Sequence, residues 1–247
     1  VVAVVVKPNG KNINVKCGST CPELICENVV LQNADFGIAL DGDADRLIIC
    51  DEHGQIIDGD QLMATIATNM KQSGTLRGDA VVATIMSNLG LEKYLENIGI
   101  DLIRTQVGDR YVVEAMREKN LNLGGEQSGH VVLSDFASTG DGLIAALQVL
   151  SVLVRTGKKV SEICSLYKPY PQLLKNVRYQ QGTDPLSLDK VKTAIQDGEN
   201  RLNGSGRVVI RKSGTEPVIR VMAEGQDDKL ITTVVDDIVS TVEQISA

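Results

Sequence analysis

The sequence predicts an α/β fold on three observations. Short runs rich in β-branched residues alternate with amphipathic helical runs along the chain, the order that builds strands covered by helices. Hydrophobic residues make up 43% and charged residues 23% of the 247, enough apolar side chain for a core and too much for a disordered chain. Near the C-terminus, Leu230, Ile231, Val234, Val235, Ile238, Val239 and Val242 recur at helical spacing as one apolar stripe. Strands alternating with helices further predict largely parallel sheets.

In chain order, Val1–Val6 reads as a buried strand. It is too short and lacks the basic leader of a signal peptide. It starts at valine with no turn ahead of it, and a six-residue apolar strand needs neighbours, so the chain is expected to be a piece of a longer protein. Strands follow at 36–40, 47–50, 80–85, 102–105, 131–133, 173–179, 207–211 and 218–223. Helices are expected at 22–32, 61–71, 91–98, 110–119, 142–155, 188–196 and 228–245. Asp227 and Asp228 suit the positive N-terminus of the last helix, and Thr139 and Ser161 are expected to cap the two helices after the 131–133 strand.

Two stretches read as boundaries: the polar, glycine-bearing run 72–78, and Lys168-Pro169-Tyr170-Pro171, whose prolines no regular helix tolerates. Domains are therefore expected at 1–72, 73–168 and 169–247.

With 25 Lys+Arg against 32 Asp+Glu, the net charge is -7 and the isoelectric point near 5.0, which argues against a nucleic-acid partner. No apolar run approaches the ~20 residues of a membrane span. Five cysteines, an odd number, suit a reducing, cytoplasmic setting. Cys17, Cys21 and Cys26 lack zinc-knuckle spacing and a nearby histidine, so free thiols are expected.

Chemistry concentrates in three loops. In Gly37-Ile38-Ala39-Leu40-Asp41-Gly42-Asp43-Ala44-Asp45-Arg46, an apolar strand delivers Asp41, Asp43 and Asp45 at alternate positions into a turn. Carboxylates that close repel unless a cation compensates, and oxygen-only ligands suit Mg²⁺ or Ca²⁺. An EF-hand is excluded, because Arg46 occupies its glycine position and 47–50 reads as strand. The run 211–217, Arg211-Lys212-Ser213-Gly214-Thr215-Glu216-Pro217, followed by Arg220, places cations and hydroxyls between two strands, donors that match phosphate oxygens. Gly124-Gly125-Glu126-Gln127-Ser128-Gly129-His130 brackets a polar tip with glycines, bringing Glu126 and Ser128 to hydroxyls, with His130 as a candidate acid/base or phosphate neighbour. The loop Val107-Gly108-Asp109-Arg110, ahead of a helix, offers another cation to an anion, and Asp109 reads equally as a helix start.

Taken together and in this order, the three loops resemble those of the α-D-phosphohexomutase superfamily, and Val107–Val112 and Thr139–Gly142 look like its branch acting on glucosamine phosphates. The resemblance implies consecutive α/β domains followed by a smaller C-terminal α+β domain. This chain would hold the rear part of the second domain, the third and the fourth. The implied reaction interconverts glucosamine 6-phosphate and glucosamine 1-phosphate through a phosphoserine enzyme and a bisphosphate intermediate. Asp41, Asp43 and Asp45 would then hold Mg²⁺, Arg46 would sit beside the transferring group, and Glu126 and Ser128 would bind sugar hydroxyls. Arg211, Ser213, Gly214, Thr215 and Arg220 would grip the other phosphate. Gln127 points to glucosamine over mannose or glucose. The family's phosphoserine loop is not found, and Met86-Ser87-Asn88, the nearest match, lacks the histidine. The chain alone is therefore expected to be inactive and to depend on the missing N-terminal domains of the same protein. The alternatives are a mannose or glucose phosphate mutase, or a non-catalytic phosphosugar-binding fragment.

Overall fold

The computed structural model describes residues 1–180, 182–213 and 216–246. They divide into two compact units, Val1–Lys168 and Pro169–Ala247.

The first unit begins with α1 (Glu23–Leu31), then the meander β1 (Gly37–Leu40), β2 (Leu47–Cys50) and β3 (Ile56–Ile57). Next come α2 (Gly59–Gln72), β4 (Ala80–Thr84), α3 (Leu89–Asn97), β5 (Asp101–Thr105), α4 (Asp109–Glu118), β6 (Leu123–Gly125), β7 (Val131–Leu133), α5 (Gly142–Thr156) and α6 (Val160–Cys164). One sheet has the order β1-β2-β3 and a second β5-β4-β6-β7. Leu47 and Ile49 of β2 share a core with Leu62, Met63 and Ile66 of α2, Val81 of β4 and Val149 of α5. That shared apolar interior joins the meander to the α/β layer.

The second unit comprises β8 (Gln172–Arg178), α7 (Asp189–Leu202), β9 (Gly206–Lys212), β10 (Val218–Gly225) and α8 (Asp228–Ser246). Its antiparallel sheet has the order β8-β10-β9. Ile219, Val221 and Ala223 of β10 pack with Val191 and Leu202 of α7 and with Ile231, Val234, Val235 and Ile238 of α8 in a separate core. The Asp227 carboxylate caps α8, accepting from the backbone N–H of Lys229 at 2.9 Å and Leu230 at 3.1 Å.

Several expectations need correction. Only β4–β5 and β4–β6 pair in parallel among the described strands; the other pairings are antiparallel. Strands joined by five or six residues, such as β1–β2, β2–β3 and β6–β7, have no room for a crossover helix. Val1–Val6 is irregular and mostly exposed, with no described strand beside it to complete a ladder. Cys26 of α1 is joined to Cys50 of β2 by a disulfide, so neither is a free thiol, whereas Cys17, Cys21 and Cys164 are free. Asp141 rather than Thr139 caps α5, accepting from Ile144 N at 2.9 Å. Ser161 lies inside α6, whose N-cap is Lys159, and its backbone N–H donates to Glu52 at 3.2 Å. Among the described residues, no helix is long and apolar enough to cross a membrane.

The start of α2 holds two carboxylates. Asp58 caps the helix, accepting from Gln61 N at 3.1 Å, and Asp60 is wholly buried. Burial, reinforced by the charge of Asp58, pushes the Asp60 carboxyl up to about 7, although a 2.7 Å hydrogen bond from Asn88 N and the more distant Arg104 charge act the other way. The folded chain therefore keeps a proton that the unfolded chain releases near pH 4, and this group's contribution to stability declines as pH rises from about 4 to about 7. Asp60→Asn should flatten that decline, by on the order of a few kcal/mol between pH 5 and pH 8 in urea unfolding. An unchanged pH slope would show that Asp60 titrates normally.

Candidate active site

The β1–β2 register pairs Leu40 with Leu47, so the six residues 41–46 form the loop between them. Ala44 adopts a left-handed φ of 60°, and its N–H donates to the Asp41 carbonyl at 3.2 Å. This curl brings one ligand atom from each of Asp41, Asp43 and Asp45 within 4.8 Å of the others. Burial, then the neighbouring Asp41 charge, raises the Asp45 carboxyl above the usual carboxylate range. Asp45 Oδ1 is buried without a hydrogen-bond donor among the described residues. Arg46 Nε stands 3.8 Å from Asp41 and 3.9 Å from Asp45, ion-pair distances too long for hydrogen bonds. An oxygen-only donor set with surplus negative charge and an unmatched buried acceptor fits a hard divalent cation.

The loop 125–130 lies against this turn. Leu47 N donates to the Gly129 carbonyl at 3.0 Å, and Arg46 and His130 form an antiparallel bridge. Gly129 has φ 94°, and a Cβ there would stand 2.1 Å from the Leu47 carbonyl oxygen, so only glycine permits the approach. The pairing sets His130 Nε2 3.5 Å from Asp45 Oδ2 and 4.0 Å from Asp109 Oδ2. The His130 side chain is 3% exposed, and its ring packs on Gly140. Asp109 opens α4, as the helix-start reading expects, and also faces His130, whereas Arg110, the cation of that loop, pairs with Glu114 at 2.8 Å.

Between its strands the loop is a tight turn, closed by Glu126 N donating to the His130 carbonyl at 2.9 Å and Gly129 N to the Glu126 carbonyl at 3.0 Å. The Glu126 carboxylate accepts from Gly108 N at 3.1 Å, and Ser128 is exposed at the tip. Asp41, Asp43, Asp45, Arg46, Glu126, Ser128 and His130 therefore belong to two adjoining turns of one unit. The segment 139–142, assigned no role at the site from sequence, supports them: Gly142 N donates to the Ala44 carbonyl at 2.9 Å, seating α5 on the acidic turn. The repeated glycines of 139–142 were the available signal, because such close backbone approaches exclude a Cβ.

In the second unit, Arg211 of β9 lies directly opposite Arg220 of β10. Burial, and then Arg220, pull the Arg211 guanidinium below its ordinary range. The buried Nε atoms of both lack a hydrogen-bond acceptor among the described residues. Facing like charges cost about 0.2–1 kcal/mol across a strand pair, and an anion relieves that cost. Lys212 points elsewhere, pairing with Asp184 at 2.8 Å. Ser213 N donates to the Val218 carbonyl at 2.7 Å, closing the loop. Gly214 and Thr215 lie outside the described residues.

Residues 58–170 match the family model for phosphoglucomutase/phosphomannomutase, alpha/beta/alpha domain III, and residues 174–241 match that family's C-terminal domain. The chain belongs to this phosphohexomutase family. Within it, the phosphoglucosamine mutase of Parvibaculum lavamentivorans is 62% identical over all 247 residues, and that of a Bradyrhizobium species is 57% identical. The chain covers 55% of the length of each. Two structures of Aspergillus fumigatus N-acetylphosphoglucosamine mutase share the fold at 21% identity. One has a TM-score of 0.75, covering 94% of this chain and 53% of that one. The other, in complex with GlcNAc-6P and magnesium, has a TM-score of 0.72, covering 93% and 57%.

A Cβ at Gly140 would fall 2.4 Å from His130 Nε2. Gly140→Ala should therefore displace the imidazole and destabilise the first unit by about 1–3 kcal/mol, read by urea unfolding. Wild-type stability together with an unmoved His130 ring resonance would show that the ring is not confined there.

Proposed function

We propose that the chain is the C-terminal part of a phosphosugar mutase that interconverts glucosamine 6-phosphate and glucosamine 1-phosphate. The phosphoserine that exchanges phosphoryl groups with the sugar would lie in the N-terminal domains of the longer protein. The observation that carries the reading is the backbone pairing of Arg46–Leu47 with Gly129–His130, which sets a carboxylate cluster beside the polar turn 125–130. Whole-chain identity of 62% to a phosphoglucosamine mutase supports the substrate assignment.

Asp41, Asp43 and Asp45 would hold Mg²⁺, which when bound offsets negative charge on a phosphoryl group in transfer. Arg46, fixed through its backbone N–H to Asp41 Oδ1 at 3.1 Å, offers a guanidinium to the same phosphoryl oxygens. Glu126 and Ser128 bind sugar hydroxyls in either orientation of the substrate. His130, confined beside Asp45, is placed to exchange a proton with a sugar hydroxyl. Arg211 and Arg220, with Ser213, Gly214 and Thr215, hold the phosphate that is not reacting. The setting is cytoplasmic amino-sugar metabolism, supplying a cell-wall precursor.

The test assays the complete gene product with glucosamine, mannose and glucose 6-phosphates. Glucosamine 6-phosphate should give the highest kcat/KM, and the 247-residue chain alone should give no turnover. Preference for another sugar would overturn the substrate assignment, and turnover by the chain alone would overturn the need for an external phosphoserine. Arg211→Ala removes charge-assisted hydrogen bonds worth about 1.5–3 kcal/mol each, so kcat/KM should fall roughly 10- to 100-fold with folding intact. Asp43→Asn should shift the Mg²⁺ activation curve to higher concentration, and a wild-type curve would remove the metal assignment.

A further inference from the structure

We infer that Asp58 and Gly59, at the start of α2, are positioning residues that hold the sugar-binding turn through Gln127, and that Gln127 serves this hold instead of reading the sugar. The inference rests on the assignment of 125–130 to sugar binding.

Each Asp58 oxygen has its own task. Oδ1 accepts from Gln61 N at 3.1 Å and caps α2, and Oδ2 accepts from the Gln127 side-chain amide at 3.3 Å. Gly59 N donates to the Gln127 backbone carbonyl at 3.0 Å. Gln127 is thus gripped at both ends, by two consecutive residues of a helix start.

The approach is also sterically fixed. A Cβ at Gly59 would lie 2.1 Å from the Glu126 carbonyl oxygen, 2.7 Å from Gly129 N and 3.0 Å from the Gln127 carbonyl oxygen. No other residue type lets the turn rest on the helix. The flanking Glu126 and Ser128 are the two residues proposed to meet the sugar, so a shift of the turn moves both together. The helix beneath is anchored deep in the core by Leu62, Met63 and Ile66, each at most 1% exposed, so it can serve as a rigid support. The Gln127 amide also offsets the burial that raises the Asp58 carboxyl.

Asp58→Ser keeps a helix-capping oxygen but is too short to reach Gln127. Gln127→Leu keeps the bulk and loses the amide. Asp58→Asn retains the reach, because the Gln127 amide can turn over to accept from the new donor. In the complete gene product with glucosamine 6-phosphate, Asp58→Ser and Gln127→Leu should each raise KM about tenfold with kcat within about threefold, the size of one charge-assisted hydrogen bond. The double variant should be no worse than either single one, since both remove the same contact. Asp58→Asn should return KM to within about twofold of wild type if the contact alone is responsible. Additive effects would overturn the hold, as would a Gln127→Leu variant that binds normally. A Gln127→Leu variant that changes preference between glucosamine and glucose phosphates, while Asp58→Ser does not, would show that Gln127 reads the sugar.

Amide hydrogen exchange gives a second readout that needs no turnover. In Asp58→Ser, backbone exchange in 125–130 should quicken about tenfold while α2 stays protected, because the opened contact is local. Unchanged exchange overturns the hold by itself. If wild type turns over no phosphosugar, the functional assignment fails, and the exchange experiment still decides whether the turn is held this way.

Discussion

The pairing of 46–47 with 129–130 constrains the site more than any other contact in the first unit. A hydrogen bond from Leu47 N to the Gly129 carbonyl and the Arg46–His130 bridge tie a loop of the β meander to a loop of the four-stranded sheet. Backbone pairing of this kind sets two side-chain groups at fixed separation without requiring either loop to carry its own core. The cost falls on Gly129, whose left-handed backbone and 2.1 Å clearance exclude every side chain. Gly140 and Gly142 have the same character, each giving up a side chain so that the His130 ring or the acidic turn can come close.

Each unit tolerates a charge arrangement that folding alone would remove. Three carboxylates converge at 41–45, and two guanidiniums face each other across β9 and β10. Replacing either group by neutral residues would relieve repulsion, so their presence together points to charged ligands. Asp60 differs. Its burial is met by a backbone donor from the start of α3, and its carboxyl serves the junction of α2 and α3.

Much of the fold was legible because local rules agree with the tertiary outcome. The α8 stripe at helical spacing fills the second core, and Asp227 caps that helix as its position suggests. The loops at 41–46 and 125–130 could be found because their residue types are costly without a ligand. Less legible were β3 and β6, of two and three residues, whose pattern is too short to carry a period. Strand direction was misread, since alternation of strands and helices does not reveal which neighbours pair. The pairing of Cys26 with Cys50 depends on the 5.7 Å approach of their Cα atoms, which spacing 24 residues apart does not disclose.

The sequence by itself determined which side chains carry charge into turns, where most of the helices lie, and which faces are apolar, because these follow from residue type and local period. Only the tertiary structure decided that Asp45 meets His130, that Arg211 stands opposite Arg220, and that Gln127 is held by Asp58. Those contacts join residues separated along the chain, and they exist because apolar burial and strand register bring their backbones together. No local preference of the chain encodes that proximity.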